Sequence, residues 1–314
     1  MPVSLRTATS GQRGIAMAGI GRRTVLLGGL AAAMPGPGPD GPSARAQTPP
    51  SPSGAQATPT SQAFQLGVLP NISARIILQT YQPVRAYLEP RVGRPIEVVT
   101  APDFRAFHQR TMAGAYDLVV TAANLGRVAE LAGLPPAIAI YDPPIPGLLV
   151  MYGARPIASV ADLAGKTLAL ANPQSLVALR GLAWLAEQGL DLSSVRQVHA
   201  RNDDSLGQLL ASGEAPLAMM SGGEFRAIGE GLRSRLQVFR EFARVPGFFV
   251  LPGKPMPAAE VERLAGWVLG LPASPEGQEF MRLANLQAIR RLTDADRAGV
   301  DGVVAETRRL LGQG

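Results

Sequence analysis

Among the loops of this 314-residue chain, Asn172-Pro173-Gln174-Ser175-Leu176 has the residue types best placed to do chemistry. It leads from an apolar, β-prone run at 167–170 into a helical pattern over 175–188. The free N–H groups and positive dipole end of such a helix suit a cluster of anionic oxygens. Equally, Asn172 or Ser175 can serve only as a helix cap. Catalysis finds no comparable foothold. The chain has no cysteine, no G-x-S-x-G elbow and no H-E-x-x-H metal helix. Its two histidines, His108 and His199, stand far apart with no carboxylate motif beside them. Gly14, Gly19 and Gly21 follow no strand and make no phosphate loop. The expectation is a protein that binds rather than reacts, without metal or cofactor.

The elements that would carry such a loop alternate. From Phe64 onward short apolar strands and amphipathic helices take turns: strand 64–69, helix 74–89, strand 96–99, helix 104–112, strand 116–120, helix 125–131 and strand 137–141. A second set follows, with strands at 167–170, 196–200, 216–220 and 236–240, and helices at 175–188, 205–212 and 225–230. Ser159 and Asp162 form a Ser-x-x-Asp start to a short helix over 160–163. The β-prone stretches 147–152 and 247–251 join the two sets, and helices at 258–271, 275–283 and 296–311 close the chain. Alternation of this kind implies an α/β class with parallel sheets covered by helices on both faces.

The first 63 residues read differently. Arg22-Arg23 precedes a short apolar run, and Ala44-Arg45-Ala46 resembles a cleavage site, the layout of an export signal over residues 1–46. The arginine pair points to the twin-arginine route; a membrane anchor or an over-long start, with Met17 as the alternative to Met1, is the other reading. Residues 47–63 are rich in Pro, Ser, Thr and Gln and read as a flexible tether. Without residues 1–46 the chain keeps 25 basic against 23 acidic side chains, so its charge gives no support to nucleic-acid binding. No later apolar run is long enough to span a bilayer, so no membrane insertion is expected after cleavage. Without cysteine the core must hold without disulfides.

The segments LGVLPNIS (66–73), YQPVRAYLEPRVGRPIEVVTAPDF (81–104), AGAYDLVVTAAN (113–124), SVADLAGKTLAL (159–170), AEQGLDLSSVRQV (186–198) and LLASGEAPLAMMS (209–221) occur in the order of one family. In these segments the chain resembles the phosphate/phosphite/phosphonate-binding periplasmic proteins of ABC transporters. The resemblance implies a type-2 periplasmic-binding fold, with lobe one from 64–150 plus 250–314 and lobe two from 153–246. Two strands at 150–153 and 247–251 would form the hinge on which the lobes close. It further implies a monomeric periplasmic protein that delivers a small anionic ligand to an ABC permease and its ATPase. The alternatives are a periplasmic sensor feeding a membrane kinase, or an enzyme on the same fold.

Ligands of open α/β sheets sit beyond the carboxyl ends of the strands. That rule selects the loops 70–73, 100–103, 121–124, 172–175, 202–205 and 221–224. Within them Asn71, Ser73, Thr121, Ala122, Asn172, Gln174, Ser175, Asn202, Ser221 and Gly222 are the candidate ligand residues, and Tyr152 at the first crossing either touches ligand or packs between the lobes. Each loop residue can also be ordinary strand–helix chemistry, and Glu224 can cap the helix that follows it. Phosphonate-binding members of the resembled family carry a small-hydroxyl run such as Ser-Thr-Ser where this chain has Gln174-Ser175-Leu176. They place a histidine near Asn202 and an acid near Ser221-Gly222-Gly223. These departures point to a small organic anion with an apolar portion rather than to tight phosphonate recognition.

Overall fold

A computed structural model describes residues 62–200 and 203–313. The export signal, nearly all of the tether and Asn202 lie outside the described residues. The chain begins with β1 (Phe64–Val68), α1 (Ala74–Val92), β2 (Ile96–Val99), α2 (Phe104–Met112), β3 (Leu118–Thr121), α3 (Ala123–Leu131) and β4 (Ala139–Asp142). Next come β5 (Ile145–Tyr152), β6 (Thr167–Leu170), α4 (Leu176–Glu187), β7 (Arg196–His199), α5 (Asp203–Ser212), β8 (Leu217–Ser221), α6 (Gly222–Ala227), α7 (Glu230–Arg233) and β9 (Leu236–Val245). It returns through β10 (Phe249–Pro252) and ends with α8 (Ala258–Gly270), α9 (Pro275–Ala284), β11 (Ala288–Arg290), α10 (Asp294–Asp301) and α11 (Val304–Leu311).

Two sheets result, ordered β11-β4-β10-β3-β1-β2 and β7-β6-β8-β5-β9. Strands inside the two sheets are buried along their whole length, β3 as LVVT and β6 as TLAL, because helices cover both faces. The sheets are mixed rather than parallel. β1 pairs in parallel with β2 and β3, and β6 with β7 and β8. The strands nearest the crossings, β10 against β3 and β5 against β8, run antiparallel. A strand that returns from the other sheet has no crossover helix of its own to set it parallel.

The crossing points also shift. Residues 145–150, expected in the first lobe, hydrogen-bond along β8 and β9 in the second sheet. The connections between sheets are therefore 143–144 and 246–248. Gly247 is needed at the second one: a Cβ there would sit 1.9 Å from the Tyr141 carbonyl oxygen. The expected helix over 296–311 is two helices, and β11 appears where no strand was expected. Thr293 and Asp296 cap α10 reciprocally, and Arg290 on β11 grips the Asp296 carboxylate with two bonds of 2.7 and 2.9 Å. That grip holds the Asp296 carboxyl well below the ordinary carboxylate range.

The first core packs β1, β3 and β10 against α1, α8 and α9, with Tyr81, Tyr141 and Phe280 ring to ring. α1 buries Ile77, Tyr81, Val84 and Leu88, one helical stripe, and stops at Gly93 in the left-handed conformation. Helices α10 and α11 lie against α3 and reach across to the second sheet's helix: Arg180 on α4 donates to the Gly299 carbonyl at 3.0 Å. No helix among the described residues is long and apolar enough to cross a membrane.

Candidate functional site

A cleft of about 530 Å³ opens where strands of the two sheets end. From the first sheet it takes Asn71 and Ile72 after β1, Ala122 and Ala123 after β3, and Tyr141 at the end of β4. From the second it takes Ser175, Leu176 and Val177 at the start of α4, and Ser221, Gly223 and Glu224 at the start of α6. Ile76, Phe104, Leu176, Val177 and Phe248 make much of its wall apolar. Arg226, Arg244 and Arg282 stand at its edge, exposed. Arg244 and Arg282 pair with Glu241 and Glu279, whereas Arg226 forms no ion pair among the described residues.

Two helices of ordinary length begin in the cleft wall. The first turn of any helix carries N–H groups that no carbonyl of that helix can reach. α3 starts at Ala122, which has no side-chain oxygen to offer them. At α4 the Ser175 hydroxyl accepts one, from Ala178 at 3.0 Å, which leaves the donors of Leu176 and Val177. Such a pair of helix ends, with their dipoles, accepts negative charge. Burial keeps the hydroxyls of Tyr81 and Tyr141, both in the cleft wall, protonated at any working pH.

Two acids complete the surroundings. Glu224 is buried; its carboxylate accepts the Ser221 N–H at 2.6 Å while Ser221 Oγ accepts the Glu224 N–H at 3.1 Å. Burial first, then the nearby Asp203 charge, pushes its carboxyl up to about 7, against the opposing effect of the Ser221 bonds. Asp203, on α5, is also buried and accepts the Ser73 N–H at 3.1 Å, a hydrogen bond that joins the second sheet's helix to the start of α1. Desolvation pushes Asp203 up to about 6.

Of the residues singled out in the sequence, Asn71, Ala122, Ser175 and Ser221 line the cleft. Ser73 sits at its edge as the N-cap of α1, with its N–H committed to Asp203. Thr121 is buried in the ladder opposite Phe249. Asn172 folds its own loop: its Oδ1 accepts the Gln174 N–H at 2.8 Å and its carbonyl accepts the Ser175 hydroxyl at 2.9 Å. Gln174 turns to the C-terminal helix, donating to the Leu310 carbonyl at 3.4 Å while its own carbonyl accepts from Asn124. Gly222 is packed under Pro146, which a Cβ would meet at 2.7 Å, and Gly223 takes its place in the wall. Tyr152 lies at the far end of β5 beneath Arg155 and Arg235, away from the cleft. Asn202 lies outside the described residues.

His108 is a buried helix residue whose imidazole is held below its ordinary value by desolvation. Among the described residues no group of three or more His, Cys, Asp or Glu could hold a metal ion. The strand-end rule reaches the loops that hold Asp203 and Glu224 but not Arg226, and neither acid is among the candidate ligand residues. The Ser221–Glu224 spacing of a capping box announces a helix start and says nothing of burial.

Compared with known proteins, residues 66–297 match the family model described as ABC transporter, phosphonate, periplasmic substrate-binding protein. No curated protein matches the sequence. Many solved structures share the fold, among them the following three. PhnD1 from Prochlorococcus marinus, in complex with methylphosphonate, has a TM-score of 0.67 at 13% identity, covering 80% of this chain and 99% of that one. XAC2383 from Xanthomonas citri, bound to ATP, has a TM-score of 0.65 at 19% identity, covering 81% and 99%. The alkanesulfonate-binding protein SsuA from Xanthomonas axonopodis pv. citri, bound to MOPS, has a TM-score of 0.53 at 16% identity, covering 80% and 93%.

Proposed function

Since the chain belongs to the phosphonate family of periplasmic substrate-binding proteins of ABC transporters, we propose that it captures a small organic oxyanion with an apolar substituent in the cleft between its two sheets. Phosphonates, alkanesulfonates and small carboxylates are the class. The family consists of transport binding proteins, not enzymes, and favours transport over signalling as the role. The observation that carries the ligand reading is the start of α3 after Ala122, which lacks a side-chain cap and shares the cleft wall with the start of α4. Donors there meet the charged end of the ligand, and Ile76, Phe104 and Phe248 meet its apolar end. Arg226 at the edge favours the approach of an anion.

In this reading the strands up to β4 together with the chain from β10 onward form one lobe, and β5–β9 with their helices form the other. The connections at 143–144 and 246–248 are the hinge, and closure is favoured by contacts that a ligand makes with both lobes at once. The protein acts as a monomer exported by the twin-arginine route, and hands its ligand to an ABC permease and its ATPase.

A thermal-shift screen of the chain from Gln47 onward tests the ligand class with methylphosphonate, phosphite, phosphate, ethanesulfonate and small carboxylates. An anion at about a hundred times its dissociation constant adds about 2.7 kcal/mol of stability, a shift of several degrees. Organic oxyanions are expected to give larger shifts than inorganic phosphate. A screen in which no oxyanion shifts the transition overturns the reading.

A further inference from the structure

A buried acid in the wall of an anion site repels the ligand while it is ionised, and Glu224 is such an acid. It lines the same cleft as the starts of α3 and α4, and among the described residues its carboxylate is bonded only to its own cap residue, Ser221. Among the described residues no cation pairs with it. Strands β5 and β8, against which α6 packs, contribute no charged side chain. Helix α5 contributes two more acids, Asp203 and Asp204. On α6 itself the only cation is Arg226, which is exposed and has Arg233 of α7 as its charged neighbour. Arg244, the cation lining the cleft from β9, is paired with Glu241.

Resting on the anion reading above, we propose that the cleft takes up its anion together with one proton, which Glu224 holds. The proton comes from solvent: carboxylate, proton and anion go in, and a neutral carboxyl beside a bound anion results. In that form the group no longer repels the ligand and offers an O–H donor in place of an acceptor. Burial already brings the ionisation of Glu224 to about 7 in the free protein, and a bound negative charge moves it further up. Asp203, whose carboxylate is tied to the Ser73 N–H, titrates lower, at about 6. The specificity consequence is that the site selects species that need a donor from the protein, such as sulfonates and other fully deprotonated oxyanions. It does so best on the acidic side of neutrality.

The test uses ethanesulfonate, which does not itself titrate near neutral pH, and methylphosphonate as a second probe. Isothermal titration calorimetry of the wild-type protein is run from pH 6 to pH 9 in buffers of different ionisation enthalpy. For ethanesulfonate the dissociation constant is expected to be nearly flat to about pH 7. Above that it should rise up to about tenfold per pH unit, with uptake of close to one proton at pH 8. In Glu224→Gln that slope should shrink to less than about twofold over the same range, whereas Asp203→Asn should keep it. Binding of ethanesulfonate by the wild type without proton uptake overturns the coupling and leaves the anion reading intact. A slope that survives in Glu224→Gln overturns the assignment to Glu224. Failure of both probes to bind at any pH overturns the anion reading and the coupling with it. The wild-type proton count tests the coupling itself even if the variants fold poorly.

Discussion

Replacing Glu224 by Gln should make the ligand-free protein more stable at alkaline pH and leave it nearly unchanged at pH 5. Glu224 is 4% exposed, and its carboxyl is pushed from an ordinary 4.5 up to about 7. The fold therefore prefers the neutral acid. Below about pH 4.5 both folded and unfolded chains carry the proton, and there is no penalty. Between about 4.5 and 7 the unfolded chain loses its proton first, so stability falls as pH rises, and above about 7 the loss is complete. At about 1.4 kcal/mol per pH unit, the interval from 4.5 to about 7 corresponds to about 3 kcal/mol. Gln keeps the part of the cap that matters, because its amide oxygen still accepts the Ser221 N–H, and it cannot ionise. Chemical denaturation at pH 5 and pH 8 should show a difference between variant and wild type that grows by about 2–3 kcal/mol, or about 5–10 °C in Tm. Asp203 destabilises the fold in the same direction over a lower range in both proteins, so the larger part of its contribution, which comes from its own burial, drops out of the difference. A difference that is equal at the two pH values, or a wild type more stable than the variant at pH 8, refutes the argument that burial of an acid dominates at this position.

Ala122→Asp should supply α3 with the cap it lacks, adding about 1 kcal/mol of stability, while it fills the anion position. Calorimetry should then show oxyanion affinity reduced more than tenfold in a protein whose Tm has not fallen. Gly247→Ala puts a methyl group against the Tyr141 carbonyl at the second connection and should lower Tm by several degrees, as read by circular dichroism, since backbone cannot yield as a side chain can. Asn124→Ala removes hydrogen bonds to the Gln174 carbonyl and the Thr307 hydroxyl that tie α3 to the loop before α4 and to α11. Denaturant titration should register a loss of about 2 kcal/mol. Small-angle scattering should show a smaller radius of gyration when a tight oxyanion ligand is added; an unchanged radius at saturation counts against closure.

Much of this protein is decided within a few residues of chain and was legible there. The alternation of short apolar strands with amphipathic helices is such a property, and so is the reciprocal cap of Ser159 and Asp162, whose carboxylate accepts the N–H groups of Ala158 and Ser159 at 2.9 Å. Asn71, Ala122, Ser175 and Ser221 follow strand ends and line one cleft, because parallel strands followed by helices present those loops on one edge. Other features depend on partners that no local pattern names. Residues 145–150 are equally β-prone in either sheet, and only the ladders with β8 and β9 assign them to the second. Asn172 and Gln174 have the residue types of a ligand site, yet the nearby C-terminal helix and the loop's own turn claim their hydrogen bonds. Tyr152 is carried to the far end of its strand by the length of β5. Glu224 reads in sequence as a capping residue. Its burial in a cleft wall next to Asp203 comes from the packing of α5 and α6, and that tertiary fact changes a helix cap into the most perturbed acid in the cleft wall. Local spacing determines which elements form; the charge and solvation of a side chain are set by everything the fold brings around it.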